Sequence, residues 1–460
     1  MSGNFGVYSI AGENVADELL LGTVALQHRG EEGCGISYSR EKGFFTERSR
    51  QLAYYFFRDV IGTGEKTGLE VLREHIPLDG IGHTLYESTG GLQPRVQWAR
   101  DQNVSLVMDG VLLGYDGKSD AIMRTEFTRA LDETSNVYDA VNNVFERFEG
   151  RGSYSVISLV KNGTETKLVA FRDPKGIKPL GVGRKGEKVI VGSESKAFDA
   201  VEADDFRDVK PGEVIVVSRE KGFESQQVKE ANPAHCFFEW IYFADPTSVI
   251  EGRNVYSVRT NLGALVAERH LDRVSDLDLV MASPDSGRAV AIGFGKKLSE
   301  LTGKYIPYEE AAIKNPGSKR TFQVENPEER KLAARLKFFI NQGVVDGKNL
   351  GVGDDSIVRG TVFRDGMIYK LKRASAGKII PIISCPPLQY ACVSDPKGKS
   401  FIARGLEGDV VKLGEEVAKR IGADFVCYPT MEDVHKALDL EGKICKACID
   451  GDFPINSEFC

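Results

Sequence analysis

Asp354 and Asp355 stand side by side at the end of an apolar run, in LGVGDDSIVRGT (350–361). Paired carboxylates followed by a small-residue turn can handle a sugar phosphate: the acids hold ribose hydroxyls or Mg²⁺ while the turn grips a 5′-phosphate. The turn, Ser356-Ile357-Val358-Arg359-Gly360-Thr361, offers successive backbone N–H groups and hydroxyls that can wrap a phosphate, and a helix beginning near Val362 would add a favourable dipole. Such a turn, placed at the carboxyl end of a parallel strand, sits where open α/β sheets bind ligands. A lone DD pair is also compatible with a solvated turn between strand and helix, so the elements around it carry the weight.

Those elements fall into two kinds. Up to about residue 230 the chain is β-rich with alternating strands, such as SYSVISLV (153–160), KLVAFRD (167–173) and KVIVGS (188–193). Two stretches with helical apolar spacing, 15–27 and about 137–149, lie among them. PGEVIVVSREKGF (211–223) has the look of a closing hairpin, and ANPAH (231–235) that of a linker. From there strand and helix patterns alternate: DLVMAS, a helix near 288–301, GKYIPY, a helix near 326–341, NLGVGD, a helix near 362–376, then KIIPIIS. Alternation of this kind predicts a parallel, doubly wound sheet. No repeat or low-complexity segment interrupts it.

Composition narrows the function classes. The 460 residues are enough for two or three domains with cores of their own. With 41% hydrophobic and 28% charged residues and a formal charge of -7, the chain is not built for nucleic acid or an anionic membrane. MSGNFGVYSIAGENVADELL lacks the basic and apolar regions of a signal peptide, and no apolar run approaches the ~18 residues of a membrane span. The expectation is a cytoplasmic protein. Eight cysteines in 460 residues do not form a disulfide framework. By itself, Cys445-Lys446-Ala447-Cys448 is equally a metal pair, a redox pair or chance.

Taken in order, these segments resemble the glutamine phosphoribosyl-pyrophosphate (PRPP) amidotransferase family. DDSIVRGT looks like its PRPP signature, SPDSGRAVAIGFGKKL (283–298) its pyrophosphate loop and following helix, and KNPGSKRTF (314–322) its catalytic loop. CFFEWIYFADPTSVIEGRNVYSVR (236–259) is similar to the family's domain junction. ALQHRGEEGCGI (25–36), GHTLYESTG (82–90), FRDPKGIKPLGVG (171–183) and GSESKAF (192–198) resemble its class II glutaminase domain. The resemblance implies an α/β chain with an N-terminal-nucleophile (Ntn) hydrolase αββα sandwich over 1–230, followed by a type I phosphoribosyltransferase sheet domain over 231–460. It further implies an enzyme whose PRPP would be held by Asp285, Ser286, Gly287, Asp354, Asp355, Ser356, Arg359, Gly360 and Thr361. Lys314 and Arg320 would close over the leaving group, and Asp354 and Asp355 would carry Mg²⁺. Arg288, just past the loop, is as often as not a chance surface charge. Cys236, Cys392, Cys445 and Cys448 fall where cluster-binding members carry [4Fe–4S] ligands, with a zinc Cys₄ site as the alternative; Cys34, Cys385, Cys427 and Cys460 are bystanders, Cys385 being the rival ligand. Family members assemble as dimers or tetramers, so a homo-oligomer is expected.

The departures from the family fall on the glutamine site. Ser2 takes the place of its cysteine nucleophile, and a hydroxyl with a free α-amine as base can serve there. Leu85 replaces the arginine that pairs with the glutamine α-carboxylate, a loss of about 1.5–3 kcal/mol. Asp109-Gly110 replaces the asparagine-glycine oxyanion element, and an ionised aspartate has no proton to donate. Gly317 stands where a tyrosine lines the ammonia channel. The expectation is a PRPP-dependent transferase that uses ammonia or another amine. Two alternatives stand beside it: a glutamine-dependent enzyme of purine synthesis using Ser2, and a non-catalytic partner subunit that binds PRPP or nucleotides.

Overall fold

The computed structural model describes residues 2–59, 66–86, 91–98, 102–115, 118–134, 136–315, 327–393, 400–440 and 442–455. Met1, Gly317, Arg320 and Cys460 lie outside these residues.

The N-terminal half stacks a seven-stranded sheet on a six-stranded one. Its central strands are buried on both faces, and their alternating side chains serve two cores. In Gly152–Asn162, Ile157 and Leu159 point between the sheets. Tyr154, Val156 and Val160 point the other way, against the helices Ser119–Glu133 and Val137–Arg147. On the far side, Phe5 and Val7 of Gly3–Ser9 pack under the helix Ala16–Ala25. This is the αββα sandwich. The expected helices at 15–27 and 137–149 are present as Ala16–Ala25 and Val137–Arg147, but Ser119–Glu133 was not foreseen. Its buried face mixes Met123, Phe127, Ala130 and Leu131 with Ser119, Asp120 and Thr128, and these polar members blur the apolar periodicity. Glu213–Ser218 and Gly222–Gln227 form the closing hairpin.

The second half is built on three parallel strands, Leu279–Ala282, Leu350–Asp354 and Ile379–Ile383, with Leu350–Asp354 in the middle. Single parallel bridges at Val280↔Tyr308 and Ile382↔Cys427 widen the sheet on either side. GKYIPY therefore contributes a bridge rather than a full strand. The helix expected near 326–341 stops at Lys337, because Phe338–Ile340 pairs antiparallel with Ala312–Lys314; a Phe-Phe-Ile run suits a pleated surface better than a helix end. Past the phosphate turn, a wide-turn helix, Val362–Ile368, runs on into Tyr369–Arg373.

Between the halves, His235–Cys236 pairs in parallel with Ile444–Cys445. The junction then sinks Phe237, Trp240 and Ile241 into the transferase core. No helix among the described residues is long and apolar enough to cross a membrane.

Candidate active site

Two turns meet at the carboxyl end of the parallel sheet. The first follows Ala282, the second follows Asp354. Ser283 N–H donates to Gly353 O at 2.8 Å, and Ser286 Oγ donates to Asp354 Oδ1 at 3.2 Å. Gly287 closes this first turn by lying directly on the neighbouring strand. A Cβ there would stand 2.0 Å from Gly353 O, so only glycine allows the approach. Asp285, Ser286 and Gly287 are thus brought beside the paired acids.

Asp354 and Asp355 are nearly buried, at 6% and 7% exposure. Asp354 Oδ1 accepts the Asp355 N–H at 2.9 Å, and Asp355 Oδ1 accepts the Ser356 hydroxyl at 2.9 Å. Burial, joined by the charge of Asp355, pushes the Asp354 carboxyl up to about 7. Burial also raises Asp355, against the pull of Ser356, Lys337 and Arg259. Two crowded carboxylates with so little cationic relief have the chemistry of a site for a divalent cation. Gly360 supplies the left-handed turn, with φ +75°, that sends the chain from Ser356 and the half-buried Arg359 into Thr361, the residue capping Val362–Ile368. Lys314 Nζ sits 3.0 Å from Asp285 Oδ2. Arg288 pairs with Asp285 at 2.6 Å and with Glu310 at 2.9 Å.

The second constellation surrounds Ser2, which is buried at 6% exposure. Its N–H donates to Asp109 Oδ1 at 2.9 Å, and its hydroxyl oxygen accepts the Tyr86 N–H at 3.2 Å. Behind it lies Arg29, wholly buried. Nε donates to Ser2 O at 2.9 Å, Nη1 to Glu194 at 2.5 Å and Glu239 at 3.0 Å, and Nη2 to Glu239 at 3.0 Å and Asp109 at 3.3 Å. Burial alone would raise the Asp109 carboxyl; Lys178, the chain's α-amine, Arg29 and the Ser2 N–H hold it down at about 2. Asp109 is therefore ionised at any ordinary pH. Gly110 follows it with φ +152°, and a Cβ there would stand 2.1 Å from Ser153 O. The Leu85 side chain is buried, and its backbone is pinned to Gly33 and Glu32. His83, also buried, is held neutral, its value lowered by burial to about 3. Arg29, Lys178, Glu194 and Glu239 went unnoticed in the sequence as site residues, although all four lie inside quoted motifs.

Cys236 and Cys445 are register partners across the junction pair. Cys392 and Cys448 share their electrostatic neighbourhood, and so does the buried Cys385. The donor set suits a cluster or zinc, yet among the described residues no three His, Cys, Asp or Glu side chains are poised around one point as they stand. Cys34 and Cys427 are core residues.

An Ntn sandwich in series with a phosphate-turn parallel sheet, each opening on its own constellation, defines the amidotransferase-type phosphoribosyltransferases. A glutamine amidotransferase domain family matches residues 83–200. The amidophosphoribosyltransferase of Methanocaldococcus jannaschii is 32% identical over 500 residues, covering 100% of this chain and 98% of the relative. That of Methanothermobacter thermautotrophicus is 34% identical over 479 residues, 98% of this chain and 94% of the relative. The structure of Bacillus subtilis glutamine PRPP amidotransferase, complexed with ADP and GMP, matches with a TM-score of 0.80 at 28% identity, covering 99% of this chain and 97% of that one. The chain belongs to the amidophosphoribosyltransferase family, whose members are PRPP-dependent phosphoribosyltransferases.

Proposed function

We propose that this chain transfers the phosphoribosyl group of PRPP directly to ammonia or another amine, and that its N-terminal half has become a scaffold. The observation that carries this is the bond from the Ser2 nitrogen to ionised Asp109. Once Met1 is removed, that nitrogen is the α-amine that must act as base. An amine titrates near ~8 when free, and a buried carboxylate at 2.9 Å holds the proton on it more tightly still. The same carboxylate occupies the oxyanion position with acceptors only, where losing a donor typically costs ~10²–10³ in rate. Leu85 leaves the glutamine α-carboxylate unpaired.

In the other half, Asp354 and Asp355 would hold the ribose hydroxyls and Mg²⁺, the ion neutralising the pyrophosphate as it leaves. The backbone from Ser356 to Thr361 would hold the 5′-phosphate, and Asp285, Ser286 and Gly287 would cradle the pyrophosphate. Fixing both phosphate groups leaves the anomeric carbon held between them. The amine forms the new C–N bond there as the C–O bond breaks toward pyrophosphate, and the added nitrogen sheds one proton. A [4Fe–4S] cluster on Cys236, Cys392, Cys445 and Cys448, or zinc in its place, would lock the junction to the second half.

The glutamine-dependent alternative has one observation in its favour: the Ser2 hydroxyl is kept in the pocket and oriented by the Tyr86 N–H. One experiment separates the two. Pyrophosphate release from PRPP should depend on ammonium and rise with pH as NH₃ replaces NH₄⁺, with negligible glutamate formed from glutamine and no effect of Ser2→Ala. Glutamine turnover matching ammonia, abolished by Ser2→Ala alone, would reverse the proposal.

A further inference from the structure

Arg288 is the first residue of the helix Arg288–Thr302 and follows the Asp285-Ser286-Gly287 turn directly. Its guanidinium serves two carboxylates at once: Nη1 reaches Asp285 Oδ1 at 2.6 Å, and Nε reaches Glu310 Oε1 at 2.9 Å. Glu310 is fixed in turn by the Tyr308 hydroxyl at 2.6 Å, and Tyr308 bridges to the sheet at Val280. The other oxygen of Asp285 takes Lys314 Nζ at 3.0 Å. Two cations from different elements therefore bracket one carboxylate on the turn, which Ser286 ties to Asp354.

Stability does not explain this arrangement. The side chains of Asp285, Arg288, Glu310 and Lys314 are 43–56% exposed, and pairs so exposed contribute little. What the geometry does accomplish is to aim an Arg and a Lys at one anionic point beside the paired acids. Glu310 holds Arg288 by one edge only, so the Nη edge is left to exchange partners.

Resting on the transferase reading, we infer that Arg288 is a pyrophosphate-binding residue and Glu310 its positioning residue. Asp285 stands in for the leaving group in the free protein. When PRPP arrives, the Nη edge of Arg288 trades the Asp285 carboxylate for a pyrophosphate oxygen while Nε stays on Glu310. Planar two-edged donation is what a guanidinium provides and an ammonium does not.

The test is titration calorimetry with Mg²⁺ on the full chain, using PRPP, inorganic pyrophosphate and ribose 5-phosphate as separate ligands. Arg288→Ala should weaken PRPP and pyrophosphate roughly 10- to 100-fold, as for a lost charge-assisted bond, and leave ribose 5-phosphate unchanged. Arg288→Lys should recover part of that loss, and Glu310→Gln should show a smaller loss with the same ligand selectivity. If Arg288→Ala binds all three ligands as the wild type does, or loses ribose 5-phosphate equally, the inference is overturned while the transferase stands. If the wild type binds neither PRPP nor pyrophosphate, the transferase itself fails and the inference falls with it.

Discussion

Replacing Arg29 with alanine removes the guanidinium that bonds three buried carboxylates. Arg29 has no exposed side-chain surface, and Glu194, Glu239 and Asp109 have 0%, 2% and 4%. Taking one partner from a buried ion pair costs about 3–5 kcal/mol, because the remaining charge is stranded in a poor solvent. Three partners here put the expected cost at the upper end of that span. At ~2–4 °C per kcal/mol for a unit of this size, the unfolding midpoint should fall by roughly 10–20 °C at neutral pH. The pH dependence identifies the cause. In the wild type Asp109 is held at about 2, and Glu194 is lowered too, by His28 and Arg29 against the effect of burial. Depressed carboxylates contribute stability above their unfolded values of 3.8 and 4.5, and lose it as pH falls through the folded values. Without Arg29, burial is less opposed, the folded values rise, and the carboxylates protonate on mild acidification. The gap between wild type and variant should therefore be widest near pH 8 and shrink toward pH 5. The fluorescence of Trp240, buried next to Glu239, reports the transition on heating. Arg29→Met, which keeps the volume, should behave like alanine. A gap that is the same at both pH values, or that methionine closes, would mean that Arg29 acts by packing and that the charge account is wrong.

Asp354→Asn should stabilise the free protein at pH 8 while weakening Mg²⁺–PRPP binding about 10- to 150-fold. The folded carboxyl is raised to about 7 from 3.8, so the fold favours the protonated form and that favour is lost as pH rises through about 7; the gain should vanish near pH 4. In the wild type, Mg²⁺–PRPP affinity should climb over the same window. A lower midpoint for Asp354→Asn at pH 8 would refute the assignment. Anaerobically purified protein should be brown, with about four irons per chain, as a four-cysteine cubane requires; colourless protein with one tightly held zinc would replace the cluster with a structural site.

How much of this was legible before the fold depended on distance along the chain. The DDSIVRGT turn and the PDSG turn are each local: strand, acids and small residues are covalent neighbours, and the pattern names the element. The sheet they share followed from alternation of strands and helices. Arg29 was visible in ALQHRGEEG, but its partner Glu239 lies 210 residues away, and no pattern pairs two charges across that span. Arg288 and Glu310 are only 22 residues apart, yet they meet because Tyr308 bridges to the sheet edge, and one bridge leaves no periodic trace. Likewise the helix at 327–337 looked longer because Phe338–Ile340 reads equally as helix or strand until Ala312–Lys314 is beside it. Charges and short apolar runs are ambiguous until register is set.

The side-by-side pairing of Cys236 with Cys445 has a consequence for how this chain can be taken apart. The transferase half enters and leaves at one point, as an insert does, and not at opposite poles, as a bead on a string does. Residues 236 to 445 could be lifted out, transplanted onto another host, or recut with new ends in an exposed loop and the old ends spliced together. The N-terminal sandwich would keep its own strand pairings through such surgery, but it would lose Glu239, the acid that Arg29 holds with two nitrogens, Glu251, the partner of Arg172, and Asp245 and Ser248, which bond Lys196 and Glu194.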